Sequence, residues 1–391
     1  MFYRVTNAVI APDLAREFNL DAERLGMLGS AFFYTFAVFQ IPMGILLDRI
    51  GPRKVMSFSS LIGAAGAFIF ASAGSFSIAL AGRALLGIGM ASALMGTLKV
   101  FVTTYSPKRF SVLSGIIISI GTLGSILATS PLVYLNSVIG WRLTLMYAGI
   151  ITAALALLIF WVLGEDDHET RREVLADSSQ EQTNGIIKTL RLILRNLSFW
   201  QIGSMAFFRY GTFVALQGVW LGPYLMNIKK FAPLTTGNIL MMLSLGLIAG
   251  SPVAGYLADR VFRAPKPALM IGLSCYILCL VPLTGIWKIE SVLAYSVIFI
   301  LMGFFSGFGM LAYTHIKELF PLSMSGTVTA GVNFFIMAGG AVFMQIIGSI
   351  ISLYTNTNQT YQPGAYHLAF FICLIGMIGS FVFYAFSKSR R

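Results

Sequence analysis

The feature that most limits what this chain can become is the recurrence of apolar runs long enough to cross a lipid bilayer. A helix rises about 1.5 Å per residue, so roughly 20 apolar residues traverse the hydrocarbon. Runs of that length lie at 1–18, 24–47, 54–73, 76–104, 110–138 and 142–163, and again at 198–226, 233–258, 267–286, 290–316, 322–353 and 364–387. Twelve such spans occupy most of the 391 residues and leave only short loops. Composition agrees, with 57% hydrophobic and 11% charged residues, against about 25% charged in a soluble domain. A soluble fold is excluded, and an all-α membrane protein is expected. The first run is the exception: it contains Arg4 and Asn7 and is about one to two turns short of a crossing. We read it as a span truncated at its N-terminus; a short, tilted helix with Arg4 as a flanking base is the alternative.

Between the two sets of six runs, residues 164–197 hold seven of the fifteen acids and five bases, a composition that cannot enter lipid. The chain therefore divides into an N-terminal six-helix bundle (1–163), a linker (164–197) and a C-terminal six-helix bundle (198–391). Lysine and arginine are unevenly placed. Seventeen, including Arg49, Arg53, Lys54, Arg260 and Lys317, fall on the side of the linker and the C-terminal tail, against six on the other. By the positive-inside rule the linker and tail are cytoplasmic, which places the protein in the cell membrane, the inner one where there are two. Three cysteines cannot make a disulfide framework, and Cys275 and Cys279, one turn apart in an apolar run, read as packing.

The halves echo each other. After the second span the chain reads Gly44-Ile-Leu-Leu-Asp48-Arg49-Ile-Gly51-Pro-Arg53-Lys54, and after the eighth Gly255-Tyr-Leu-Ala-Asp259-Arg260-Val-Phe-Arg263. Gly87-Ile-Gly89-Met90 in the fourth span is matched by Gly307-Phe-Gly309-Met310 in the tenth. Duplication of a six-helix unit accounts for both. In these residues the chain resembles the major facilitator superfamily. The resemblance implies two six-helix bundles related by a pseudo-two-fold axis, and a solute carried between them by alternating access. Arg83 with Gly87 resembles the family's fourth-helix motif. Asp48 and Arg49 at a helix end, and Asp259 and Arg260 in the second copy, are suited to latch the neighbouring bundle in one state and release it in the other, while Gly44 permits close helix approach. The glycine-proline pair that marks drug-proton antiporters is absent from the fifth span, which reads Gly121-Thr-Leu-Gly124-Ser.

Four bases fall inside spans: Arg4, Arg83, Lys99 and Arg209. No Asp or Glu lies deep in any span, since Asp13, Glu290 and Glu318 sit near span ends. Buried cations persist where a partner or a watery cavity offsets the cost, and with no acid to pair them a bound anion is the natural partner. Arg209 is 11 residues into the seventh span, about 16 Å from its start and near mid-membrane. Arg209-Tyr210-Gly211, and Arg4 with Pro12 eight residues on, resemble the seventh- and first-helix arginines of organophosphate:phosphate antiporters. That resemblance implies an oxyanion clamped by both guanidinium groups across the axis. The chain departs from the antiporters in carrying about one turn more beyond Arg209 and no counterpart of their second-helix lysine or fifth-helix histidine. Tyr34, Gln40, Ser119 and Thr122 offer neutral hydrogen bonds instead. Lys99, Gln217, Asn333 and Trp220 complete the candidate solute-contacting set, with the flanking-lysine reading of Lys99 left open. His315 and His367 lie near span ends and His168 in the linker.

Nothing here suggests an enzyme: no paired carboxylates in a span, no metal-ligand spacing and no phosphate-binding loop occur, and no cofactor or nucleic-acid partner is expected. The expected function is secondary transport of a small organic anion by a monomer in the bilayer, with exchange as the first coupling scheme. Proton-coupled symport of a neutral or zwitterionic metabolite and a non-transporting sensor on the same fold stay open as alternatives.

Overall fold

The computed structural model describes residues 1–105, 107–163, 191–321, 324–354 and 362–388. The side chains of Asp48 and Ser119, and most of the linker including His168, lie outside the described residues. The helices, in chain order, are α1 (Phe2–Glu17), α2 (Ala22–Ile50), α3 (Pro52–Ala71), α4 (Phe76–Met90), α5 (Ala93–Thr104), α6 (Pro107–Leu127) and α7 (Ser130–Val162). After the linker come α8 (Leu197–Ala215), α9 (Pro233–Tyr256), α10 (Pro265–Leu280), α11 (Val292–Gly307), α12 (Leu311–Leu319), α13 (Ser325–Leu353) and α14 (Pro363–Ala385). Among the described residues, eight helical rods are long and apolar enough to cross a membrane.

Short polar signals start these helices. Asp21 accepts from the Arg24 amide at 2.8 Å and Asn196 from the Ser198 amide at 2.9 Å, supplying acceptors that the first helical turn lacks. Proline occupies the first turn of α3, α9, α10 and α14, where its missing N–H costs nothing. Several rods carry internal breaks. Gly140, at φ 78°, divides α7 into two helices. Residues 91–92 separate α4 from α5. Beyond α8 the helix widens into π turns at Leu216–Trp220 and Tyr224–Ile228. These turns lie in the stretch that carries about one turn more than the antiporter pattern, and widening is a standard way for a helix to absorb inserted residues.

The internal repeat is a packing repeat, shifted by one turn from its sequence signature. A Cβ at Gly87 would overlap the carbonyl oxygen of Phe32, and a Cβ at Gly303 would overlap that of Leu243. In the same register Thr35 Oγ1 donates to the Ala84 carbonyl at 2.9 Å, while Gly246 sits against the Ile300 carbonyl. Gly303 is therefore the structural counterpart of Gly87, in place of the Gly307 suggested by the sequence. Residues four apart share a helix face, so a pattern match cannot resolve a one-turn slip.

Arg83 fastens the N-terminal bundle from within. It is 1% exposed, and its Nε and Nη1 donate to the carbonyls of Leu28 on α2 (3.2 Å) and Tyr3 on α1 (2.9 Å). At the end of the bundle remote from the linker, called here the far side, Glu17 pairs with Arg142 and accepts from the Trp141 indole at 3.0 Å. Arg142 also donates to the Ala71 carbonyl at 2.6 Å, joining the ends of α1 and α3 to α7.

The boundary between the bundles differs along its length. On the far side backbones meet almost directly. A Cβ at Gly222 would overlap the Ala8 carbonyl, one at Gly218 would lie 2.9 Å from the Arg4 carbonyl, and ones at Gly26 and Gly348 would lie 2.7 Å from the carbonyls of Met344 and Ala22. The fully buried Trp220 indole fills the space between Gly26 and Gly348 and donates to the Met344 carbonyl at 3.0 Å. On the linker side, no atom of the described residues lies within 4 Å of where a Cβ would stand at Gly44 or Gly255. Asp259, Arg260 and Arg49 are exposed there. Among the described residues, the main-chain contacts that close the far side have no counterpart at Gly44 and Gly255.

Candidate functional site

Midway along the boundary, where the glycine contacts end, polar side chains take over. Arg4 leaves α1 half-buried, and its Nη1 donates to the Tyr210 hydroxyl of α8 at 3.2 Å. The other flank of the guanidinium is covered by α2, with Cζ 4.8 Å from the Phe36 ring centroid and 6.0 Å from that of Phe33. Such cation–π contacts hold a charge in place without neutralising it. Among the described residues no carboxylate pairs with Arg4. One turn further toward the linker, the Tyr313 hydroxyl donates to Asn333 Oδ1 at 2.9 Å, and Asn333 Nδ2 donates to Gln40 Oε1 at 2.7 Å. This chain joins α12 and α13 to α2. The layer therefore offers one accessible cation, several hydroxyl and amide groups and an aromatic wall, a combination suited to a small solute with an oxyanion at one end.

Arg209 borders that layer, its Cζ 5.7 Å from the Tyr210 ring centroid. It is 5% exposed and turned into the C-terminal bundle, where Nη1 donates to the Ser306 carbonyl at 2.7 Å and to its hydroxyl at 3.1 Å. Gly309 lies flat against the guanidinium, where a Cβ would overlap Cζ. The Arg4 backbone meets Gly218, nine residues and about 13 Å beyond Arg209, but its side chain reaches back to Tyr210, so the two guanidinium groups flank the same tyrosine. In this conformation Arg4 extends across the boundary while Arg209 turns into its own bundle. Arg209 instead resembles Arg83 in its own bundle, each a buried arginine joining the first and fourth rods by donating to main-chain carbonyls. A charge removed from water is costly, and carbonyl caps offset part of that cost.

The remaining candidates disperse. Gln217 is buried inside the C-terminal bundle, Nε2 donating to Ser244 Oγ at 3.1 Å. Trp220 belongs to the far-side seal. Lys99 Nζ donates to the Leu47 carbonyl at 2.8 Å, near the linker-side end of α2. Tyr34 donates to Gln345 Oε1 at 3.2 Å and lines a groove of about 280 Å³ between α2 and α13 with Gln345 and Ser349. Of the five candidates besides the arginines, Asn333 is the one in the central layer, bonded to Tyr313 and Gln40. Arg53 Nε donates to the Phe160 carbonyl at 2.8 Å with its guanidinium over the Phe160 ring, while Lys54 is exposed and Gly51 makes the turn between α2 and α3 at φ 96°.

Sequence reasoning passed over Tyr210, Tyr313, Phe33 and Phe36. Tyr210 adjoins Arg209, and consecutive helical residues point about 100° apart. Only the buried or exposed state of the helix face could decide which of the two meets the partner bundle. Around α8 both faces are apolar, so the signal was missing.

The profile of the Major Facilitator Superfamily matches residues 1–344 and, in a second alignment, 223–391. The probable sulfoacetate transporter of Cupriavidus necator is 26% identical over 297 residues, covering 72% of this chain and 68% of that protein. The probable galactarate/D-glucarate transporter of Escherichia coli is 23% identical over 96% of this chain and 90% of its own length. Among solved structures, a bacterial homologue of the human lysosomal transporter Spinster, inward-facing and occupied, superposes with a TM-score of 0.74 at 16% identity, covering 99% of this chain and 93% of that one. With its paired helical bundles, its repeated loop and packing pattern and a family match along its whole length, the chain belongs to the Major Facilitator Superfamily and is a secondary transporter of small organic solutes, not an enzyme.

Proposed function

We propose that the transported solute is a small organic anion, anchored at the bundle boundary by Arg4 and moved by rocking of the bundles about that layer. The observation that carries this reading is the half-buried Arg4 guanidinium, held between two phenylalanines and a tyrosine and without a carboxylate among the described residues. An uncompensated cation at this depth is costly until an anion neutralises it. The names of the relatives point the same way, since sulfoacetate and D-glucarate are organic anions. With the linker and tail in the cytoplasm, as the lysine and arginine distribution indicates, the conformation described here is inward-open and the far-side glycine seal closes the external path. Gly44, Asp48, Arg49, Gly255, Asp259 and Arg260 then act in the opposite, outward-open state, when the linker-side ends converge. The protein works as a monomer, each copy holding its own complete boundary.

Exchange is the favoured coupling. An empty site keeps its positive charge within the membrane during reorientation, whereas an occupied site crosses neutralised. The test is uptake of labelled sulfoacetate and D-glucarate into vesicles carrying the purified protein. Uptake that needs internal anion and ignores a pH gradient is expected. Uptake driven by the pH gradient with no internal anion would replace exchange by proton symport, and uptake of neutral sugars with no anion transport would remove the anion assignment.

A further inference from the structure

We infer that Tyr210, and not its neighbour Arg209, is the C-terminal bundle's contact to the solute, so that one oxyanion is shared between an Arg4 N–H and the Tyr210 O–H. This deepens the anion reading and rests on it. In the Arg4–Tyr210 bond the arginine donates and the hydroxyl oxygen accepts. The tyrosine's own proton has no acceptor among the described residues, and Arg4, with five N–H groups, uses one here. Two donors 3.2 Å apart can both reach a single carboxylate or sulfonate oxygen at ordinary hydrogen-bond length.

The surroundings restrict the approach. Phe33 and Phe36 cover the α2 flank of the guanidinium, and the Arg4 backbone is closed against Gly218. The flank facing Tyr210 is the one these contacts leave uncovered. Arg209 has its Nη1 on Ser306 and its guanidinium enclosed in the C-terminal bundle, 5% exposed, so it is less available to the same oxyanion than Tyr210. The site then supplies a single formal positive charge at this point. It suits a solute with one carboxylate or sulfonate here and a hydroxyl-bearing body that reaches the Tyr313–Asn333–Gln40 chain. Binding replaces a direct bond between the bundles by one made through the solute, which ties occupancy to the relation between the bundles.

The test uses the full chain purified in detergent, with D-glucarate, sulfoacetate and acetate as calorimetric probes and melting temperature as the control for folding. Wild type is expected to bind at least one of the first two, Arg4→Gln to bind none, and Tyr210→Phe to bind about 10-fold more weakly with an unchanged melting temperature. Tyr210→His, which keeps a donor, is expected to recover part of the loss. Tyr210→Phe with wild-type affinity, while Arg4→Gln has lost binding, would overturn the role of Tyr210 and leave the anion reading standing. Should Tyr210→Phe fail to fold, Tyr210→His at wild-type affinity for both probes in spite of a displaced donor would overturn it equally. Wild type that binds none of the three probes would overturn the anion reading and this inference together.

Discussion

The two halves of the bundle boundary are built from different materials. On the far side glycines bring main chains together, and the large side chain of Trp220 in the contact is wholly buried and tied to its own bundle. In the middle the contact runs through long side chains, Arg4 to Tyr210 and Asn333 to Gln40. On the linker side no such contact is made at Gly44 or Gly255 among the described residues. A backbone seal is either fully fitted or lost, because close-packed surfaces do not deform gradually. Side-chain bonds can be exchanged one at a time for bonds to a solute. The difference teaches where each job is done: closure in the glycine layer, recognition in the polar layer beneath it.

Substituting the seal should have the largest effect. Leucine at Gly222 must displace the Ala8 backbone, and overpacking of this kind costs about 3 kcal/mol or more, a shift of roughly 100-fold against the sealed state. Transport by Gly222→Leu is expected to fall to background, and cysteine labels across the far side, such as at positions 19 and 232, should become accessible to a membrane-impermeant reagent. Wild-type accessibility would break the comparison.

Next in size are the arginines inside each bundle. Removal of Arg83 strips two carbonyls of their donor in the wall of the seal, and Arg83→Gln should cost about 2–4 kcal/mol of stability, read as a lowered melting temperature. Arg209→Gln should behave alike, with any loss of transport explained by loss of folded protein. A stable Arg209→Gln protein that no longer binds anion would instead return Arg209 to the solute site.

The polar layer should respond more gently. Gln40→Ala removes one hydrogen bond between the bundles, worth about 1 kcal/mol, and should change the balance of the two conformations about five-fold without abolishing transport. The smallest effect belongs to Ser130→Ala on the far rim, where Ser130 donates to Asn238 at 2.6 Å in an exposed position. It should change stability by less than about 0.5 kcal/mol.

Helix placement and the repeat were legible in the sequence because both are written in the alternation of apolar runs and charged loops, which the bilayer enforces on every residue. The break at Gly140 falls where the fifth and sixth runs were separated, and the start of α8 where the linker charges end. Rotation of each helix about its axis was not legible. In a soluble helix a polar face marks the outside, but lipid and protein interior are both apolar, so Arg209 and Tyr210 could not be told apart. The same ambiguity allowed the one-turn slip from Gly303 to Gly307. Sorting four intramembrane bases into one at the bundle boundary, two internal fasteners and one helix-end contact required knowing which carbonyls lay within reach of Arg83, Arg209 and Lys99.

The claim on which the account turns is that the cation between the bundles, and not the buried ones within them, binds the transported anion. It is tested most directly by uptake of labelled sulfoacetate and D-glucarate into vesicles containing wild type, Arg4→Lys or Arg4→Gln, with melting temperature measured on each. The account predicts that Arg4→Gln melts as wild type does but loses more than about 30-fold in kcat/KM, with Arg4→Lys in between. Uptake by Arg4→Gln at the wild-type rate would contradict it.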